Sequence, residues 1–357
     1  MIRDAIKAQI RKMGFVRSLE LENQKLDMAI ENLQNEIFNL SNELEQNNEI
    51  LKSFSTIPDF ENVKHSLIGK DGYLFLVNDS NNEIRQHYDK TYYNKFDINL
   101  LHKILNSRKD YCNQKNIPYY FFIVPDKSYV CRDLLPFNVK FIKRNYDHIK
   151  DLVPDFSDKL DPSCYWRTDT HINFIGGNRL TYLMLNHIDN NFKTEQYERL
   201  INKQMDINDQ YTIQPRCDLL SNWSYSNEEF EKYKGEKQVY YSNKYSLNLN
   251  HTIPAPFRFN SKRKTYYSYN RKSATKLKIL VFRDSSAEFF RNTFSVYPRE
   301  LLCYWDHWCF NKDLIEWFQP DIILEVRTER LLDNMKGEIE KRKKLIDNES
   351  INNLILK

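Results

Sequence analysis

A serine hydroxyl becomes a nucleophile when an imidazole takes its proton and a carboxylate holds that imidazole in one tautomer. This chain carries the three groups in two short stretches. The first is Arg167-Thr168-Asp169-Thr170-His171-Ile172-Asn173, with acid and histidine two residues apart. The second is Asp284-Ser285, which follows the apolar run Leu277 to Phe282. Residues i and i+2 do not share a helix face, so Asp169 and His171 can meet only in extended or loop backbone. A helical run from Phe174 to Ile188 begins directly afterwards. Ser285 stands where a strand gives way to a helix, so its own N–H and the positive helix end would face a developing oxyanion. A plainer reading stands beside each stretch: Asp169 or Thr170 caps a helix starting near Asn173, and Asp284 or Ser285 caps the next.

The elements around these residues follow α/β grammar. Tyr119 to Val124 is a continuous apolar run and reads as a buried strand. Leu277 to Phe282 and Asp321 to Val326 read the same way. Residues 95 to 115, Phe141 to Leu152 and Ala287 to Phe294 read as helices. Leu67 to Leu76 reads as a hairpin turning at Asp71-Gly72. Open α/β sheets place their sites at strand ends. Lys127, just past the first strand, therefore either faces the pocket or lies on the surface. Residues 190 to 275 are polar and irregular, with tyrosine-rich runs at Gln238 to Tyr241 and Tyr266 to Tyr269, and read as an inserted, β-containing excursion near the site mouth.

The N-terminal part carries no chemistry but has the clearest period. Val16, Asn23, Ile30, Ile37, Leu44 and Leu51 fall at heptad position a, and Leu19, Leu26, Leu33 and Leu40 at d. β-Branched residues at early a positions, Leu at d and Asn23 at a point to a parallel coiled-coil homodimer through residues 16 to 53. Residues 1 to 15 form a basic amphipathic lead-in, read either as a weak peripheral membrane contact or as a frayed helix start. Residues 54 to 65 are a linker, 66 to 340 a catalytic domain, and 341 to 357 a helical tail.

The chain has 357 residues with 41% apolar and 29% charged residues, enough for a real core. A net charge of +4 with no matching motif argues against nucleic acid as a partner. None of the six cysteines is spaced CxxC, so no zinc or other metal site is expected. No run approaches a membrane span and no secretory signal is visible, so the expected location is the cytoplasm, at most at the inner face of the membrane.

Five stretches in order resemble the SGNH-hydrolase-like family of polysaccharide O-acetylation proteins, typified by the alginate acetylation proteins. Gly69-Lys70-Asp71-Gly72-Tyr73-Leu74-Phe75 resembles GKDGWLF. Val124-Pro125-Asp126-Lys127, with Tyr129, resembles VPxK. Asp169-Thr170-His171-Ile172-Asn173, with Gly176, resembles DTHWNxxG. Asp284-Ser285 resembles the GDS nucleophile motif, and Pro320 to Ile323 ending in Glu329-Arg330 resembles PDxVI…ER. The match spans residues 66 to 332. Arg283 replaces the motif's glycine, Ser286 its usual aromatic, and Ile172 its tryptophan.

The resemblance implies a flavodoxin-like α/β/α sandwich in permuted motif order, with Ser285 as nucleophile, His171 as base and Asp169 as its orienter. Arg283 would crowd the nucleophile turn or bind an anionic donor or substrate. Asn173 would donate to the oxyanion or cap its helix. The implied reaction passes an acetyl group through a serine acetyl-enzyme to a hydroxyl of a bacterial surface polysaccharide. The cytoplasmic reading makes acetyl-CoA the expected donor. Trp166, Trp223, Trp305 and Trp308 stand either as sugar platforms or as core. A carbohydrate acetylesterase with the same triad, and a non-catalytic dimeric glycan-binding or assembly factor, are the alternatives.

Overall fold

A computed structural model describes residues 2–53, 66–78, 81–211, 218–219, 237–257, 265–306 and 308–340. Residues 1–55 and 56–357 form two compact units. The first is one unbroken helix, α1 (Ile2–Ser53), with no division at residue 15. Its heptad residues Val16, Leu26, Ile30, Leu33, Ile37, Leu40 and Leu44 are 46–63% exposed. No helix among the described residues is long and apolar enough to cross a membrane.

The second unit is built on a six-stranded sheet. Its strands are β3 (Tyr119–Val124), β6 (Ser246–Asn248), β7 (Tyr266–Asn270), β8 (Lys278–Arg283), β9 (Glu300–Trp305) and β10 (Ile322–Thr328), in the order β3-β10-β8-β9-β7-β6. β3, β10, β8 and β9 are parallel; β7 and β6 continue the sheet antiparallel. Two smaller antiparallel pairs flank it: β1 (Ser66–Ile68) with β2 (Leu74–Leu76), and β4 (Met205–Tyr211) with β5 (Lys237–Asn243).

The parallel strands read as apolar runs because both faces are covered. Ile279 and Val281 of β8 pack in the same core as Leu180 and Met184 of a helix. Their neighbours Leu280 and Phe282 pack with Leu314, Ile315 and Phe318 of another. Helices thus cover both faces. Those bearing on the site are α2 (Glu83–Tyr88), α3 (Ile98–Gln114), α4 (Lys127–Val130), α5 (Phe174–Ile188) and α6 (Thr194–Gln204).

The β1–β2 hairpin turns where expected. Asp71 and Gly72 hold φ of 55° and 75°, and Tyr73 N donates to Lys70 O at 3.1 Å. Both central residues are left-handed, which Asp and Gly tolerate.

Two expected helices change. Phe141 to Leu152 holds only a short 3₁₀ turn, Asn145–His148. Arg144 pins it there through Glu329 and Asp155, each at 2.6 Å, so polar partners override an apolar period. Within 190–275 the described residues carry α6 before the β4–β5 pair, and β6 and β7 extend the main sheet. Ala287 to Phe294 is not one helix but a 3₁₀ turn, Ser285–Glu288, and a four-residue helix, Arg291–Phe294. The proposed tail at 341–357 lies outside the described residues.

Candidate active site

Tyr165 and Ile172 form an antiparallel bridge, and Trp166 N donates to His171 O at 3.3 Å. The residues between them are therefore a closed, non-helical loop, which lets acid and histidine two positions apart turn toward each other. Asp169 Oδ1 accepts from His171 N at 3.0 Å and faces His171 Nδ1 at 2.5 Å. The carboxylate is 1% exposed. On the other side of the ring, His171 Nε2 lies 2.6 Å from Ser285 Oγ. Two segments 114 residues apart thus bring hydroxyl, imidazole and carboxylate into one line.

The approach depends on glycine. A Cβ on Gly177 would lie 2.2 Å from Phe289 O, and one on Gly176 would lie 2.3 Å from Cys164 O. Without side chains there, the start of α5 lies directly against the backbone that follows Ser285. The Phe289 ring, centred 5.7 Å from that of His171, covers the imidazole on its apolar side.

The nucleophile turn is held from beneath. Asp284 caps it, one oxygen accepting from Ser286 N at 2.8 Å and the other from Thr328 N of β10 at 2.6 Å. Ser286, where the motif usually has an aromatic, shares a 2.5 Å hydrogen bond with Thr328. Arg283 is 1% exposed, donates to Asp284 O at 2.9 Å, and lies 5.2 Å from the ring centroids of both Tyr266 and Trp305. It braces the turn from within the fold, and the expectation that it meets an anionic substrate is corrected on that burial. The positive helix end expected behind Ser285 shrinks to a single turn, because a helix dipole needs more aligned peptides than four residues supply.

Two further candidates are reassigned. Lys127 does not face a pocket. It is 2% exposed, and its ammonium donates to Leu74 O at 2.6 Å, Arg167 O at 2.9 Å and Asp169 O at 3.1 Å. One cation thereby ties the hairpin to the acid–histidine loop. Burial pushes it down to about 8, against the pull of nearby acidic groups that include Asp169. Asn173 is an N-cap: Oδ1 accepts from Ile175 N and Gly176 N at 2.9 and 3.0 Å, and Nδ2 donates to Ser163 O at 2.7 Å. Its amide is spent on α5 and on the loop, which leaves it no role as an oxyanion donor.

One site residue escaped sequence reasoning. Asp218 accepts from Thr170 N at 2.8 Å and from Thr170 Oγ1 at 2.5 Å, and its Oδ2 lies 3.4 Å from His171 Nδ1. Its neighbour Leu219 is buried, with its N–H on Thr168 O at 3.2 Å. Burial would push the His171 imidazolium down, but Asp169 and then Asp218 outweigh it, and the ring is pushed up to about 9. Asp169, His171 and Asp218 bring three ligand-type atoms within 4.8 Å. Their hydrogen bonds to one another and to Thr170 already close that set, and Nε2 is directed at Ser285.

No family model matches the chain. No curated protein matches it either. Among solved structures the chain is similar to Bacillus cereus PatB1, at 14% identity and TM-score 0.49 over 75% of this chain and 96% of that one. It is similar to a DHHW family protein from Eubacterium siraeum, at 13% identity and TM-score 0.48 over 78% and 98%. It is also similar to the O-acetyltransferase domain of Pseudomonas putida AlgJ, at 12% identity and TM-score 0.43 over 76% and 93%. The expectation of acetyl-CoA as donor is withdrawn. The similar structures also include Pseudomonas aeruginosa AlgX, at 12% identity and TM-score 0.40 over 78% of this chain and 64% of that one.

Of the tryptophans offered as sugar platforms, Trp166 and Trp308 are buried in the core, and Trp223 lies outside the described residues. Trp305 is half-buried beside Arg283.

Proposed function

We propose that this chain is a serine O-acyltransferase that passes an acetyl group through Ser285 to a hydroxyl of a bacterial surface polysaccharide. The observation that carries the reading is the 2.6 Å approach of Ser285 Oγ to His171 Nε2, with Asp169 on the ring's far nitrogen. Ser285 Oγ attacks the acyl carbonyl of an activated donor and gives its proton to His171 Nε2. The donor's leaving group departs with that proton, and the acyl-serine remains. A sugar hydroxyl then gives its proton to the same nitrogen and attacks. The new ester leaves, and Ser285 recovers the proton. Asp169 keeps Nδ1 protonated throughout and stabilises the imidazolium between steps. The glycan acceptor is supported by the five motif stretches in family order.

The exposed apolar stripe of α1 supports a second copy of the chain as its partner, paired through residues 16 to 53.

The test is covalent. A fluorophosphonate probe is expected to label Ser285, located by peptide mass spectrometry, and His171→Ala is expected to abolish labelling while leaving the circular dichroism unchanged. Absence of label on a folded wild type would end the reading. With p-nitrophenyl acetate as donor and an oligosaccharide as acceptor, an acetylated sugar supports transfer. Free acetate alone assigns the same triad to an esterase.

A further inference from the structure

A cavity of about 260 Å³ has no part in the chemistry above. It opens between β5, β6 and β7 on one side and the Arg291–Phe294 helix on the other, with Leu301 of β9 at its base. Its wall is polar: Ser242, Ser246, Ser268 and Asn292 contribute, with Tyr266 and Arg291. None of the described lining residues is an Asp or Glu. Asn292 is already bonded to Tyr241 O. The hydroxyls of Ser242, Ser246, Ser268 and Tyr266 make no hydrogen bond to a described residue.

Arg291 gives the cavity its sign. The guanidinium carbon lies over the Tyr266 ring, 3.2 Å from its centroid. Its Nε is buried and has no hydrogen-bond partner among the described residues. A buried guanidinium donor left unmet is costly, because desolvation is not repaid. Arg291 lines the cavity with no acidic residue beside it there, so an anionic group entering would pair with the guanidinium, and a carboxylate matches its planar fork. The hydroxyl and amide groups along the wall suit a sugar, whose own hydroxyls need donors and acceptors. The volume falls just under the roughly 300–1,000 Å³ of small-molecule sites, so it admits one sugar unit.

We infer that this cavity binds a single anionic sugar unit, a carboxylate-bearing residue of a glycan, with Arg291 as its anchor. The inference rests on the glycan reading for its biological sense but on different residues for its geometry. The Tyr266 ring also lies 5.2 Å from the guanidinium of Arg283, which donates to the carbonyl of Asp284. The cavity therefore grips an acceptor through a wall that the nucleophile turn also uses.

Isothermal calorimetry on the full chain, with D-glucuronate, D-glucose and inorganic phosphate as probes, tests this. Glucuronate is expected to bind at least tenfold more tightly than glucose or phosphate. Arg291→Gln is expected to lose that preference while fluorophosphonate labelling of Ser285 keeps the wild-type rate. Equal binding of glucuronate and phosphate would reduce the cavity to a simple anion site and overturn the inference. So would an Arg291→Gln protein, folded by circular dichroism, that binds glucuronate as before. Ser242→Val gives a second reading without touching the charge, and an unchanged glucuronate affinity there would remove the hydroxyls from the account. Sugar binding by a protein that the fluorophosphonate never labels would refute the acyltransferase reading and leave this one standing.

Discussion

The pH at which Ser285 is acylated tests the site most directly, because two carboxylates face His171 Nδ1. Asp169 stands at 2.5 Å and Asp218 at 3.4 Å. The ammonium of Lys127 lies behind them, on the carbonyl of Asp169. A ring pushed up to about 9 is neutral in only about one molecule in a hundred at pH 7. Only the neutral ring can take the serine proton. The rate of fluorophosphonate labelling is therefore expected to climb about tenfold per pH unit from 6 to 8 and to level off near 9. Asp218→Asn removes one of the two opposing charges but leaves the closer one. Its limb is expected to move down by about one pH unit, with a plateau lowered no more than about tenfold. Asp169→Asn removes the orienter itself, and a plateau loss on the order of 10⁴ is expected, as when the histidine is left in the wrong tautomer. Labelling rates across pH 5.5 to 10, with circular dichroism at both ends, supply the data. A wild-type limb near 6.5, or an Asp218→Asn limb superimposable on wild type, would refute the electrostatic account of the ring.

Gly177→Ala places a methyl group 2.2 Å from a backbone oxygen that cannot swing away. Overpacking of about 1–3 kcal/mol is expected in urea unfolding, with slower Ser285 labelling as α5 is pushed off the turn. Removing residues 1 to 53 is expected to convert a dimer into a monomer in sedimentation equilibrium while labelling of Ser285 persists, and a dimer after that deletion would exclude the heptad seam as its contact.

The sequence was most legible where one force dominates. β3 runs Tyr119–Val124 and α5 runs Phe174–Ile188, both as read, because an apolar run bounded by polar residues and a capped apolar period leave little choice. Asp169, His171 and Ser285 were legible as types, and the coordinates add the distances between them. The sequence leaves Lys127 between pocket and surface, Asn173 between oxyanion donor and helix cap, and Arg283 between crowding the turn and binding an anion; all three are buried and hold the pocket's frame, Asn173 as the cap. Sequence shows that a polar residue follows a strand but not whether its head group meets solvent or three carbonyls. Asp218 left no signal at all, since it lies in a polar stretch without period and reaches the loop through the buried Leu219. Only Tyr197, Ile201 and Gln204 of α6 are buried, too few to lift it above its polar surroundings.

β10 lies between β3 and β8 although it is the last of the three to be synthesised. Until residues 322 to 328 leave the ribosome, β3 and β8 have no common neighbour, and each offers an apolar edge to whatever strand is nearest. Thr328, which fastens the carboxylate of Asp284, arrives in the same stroke. A nascent or prematurely stopped chain therefore holds histidine and serine without the strand that seats the serine turn. The proposed acyl transfer is therefore expected only once the sheet is whole.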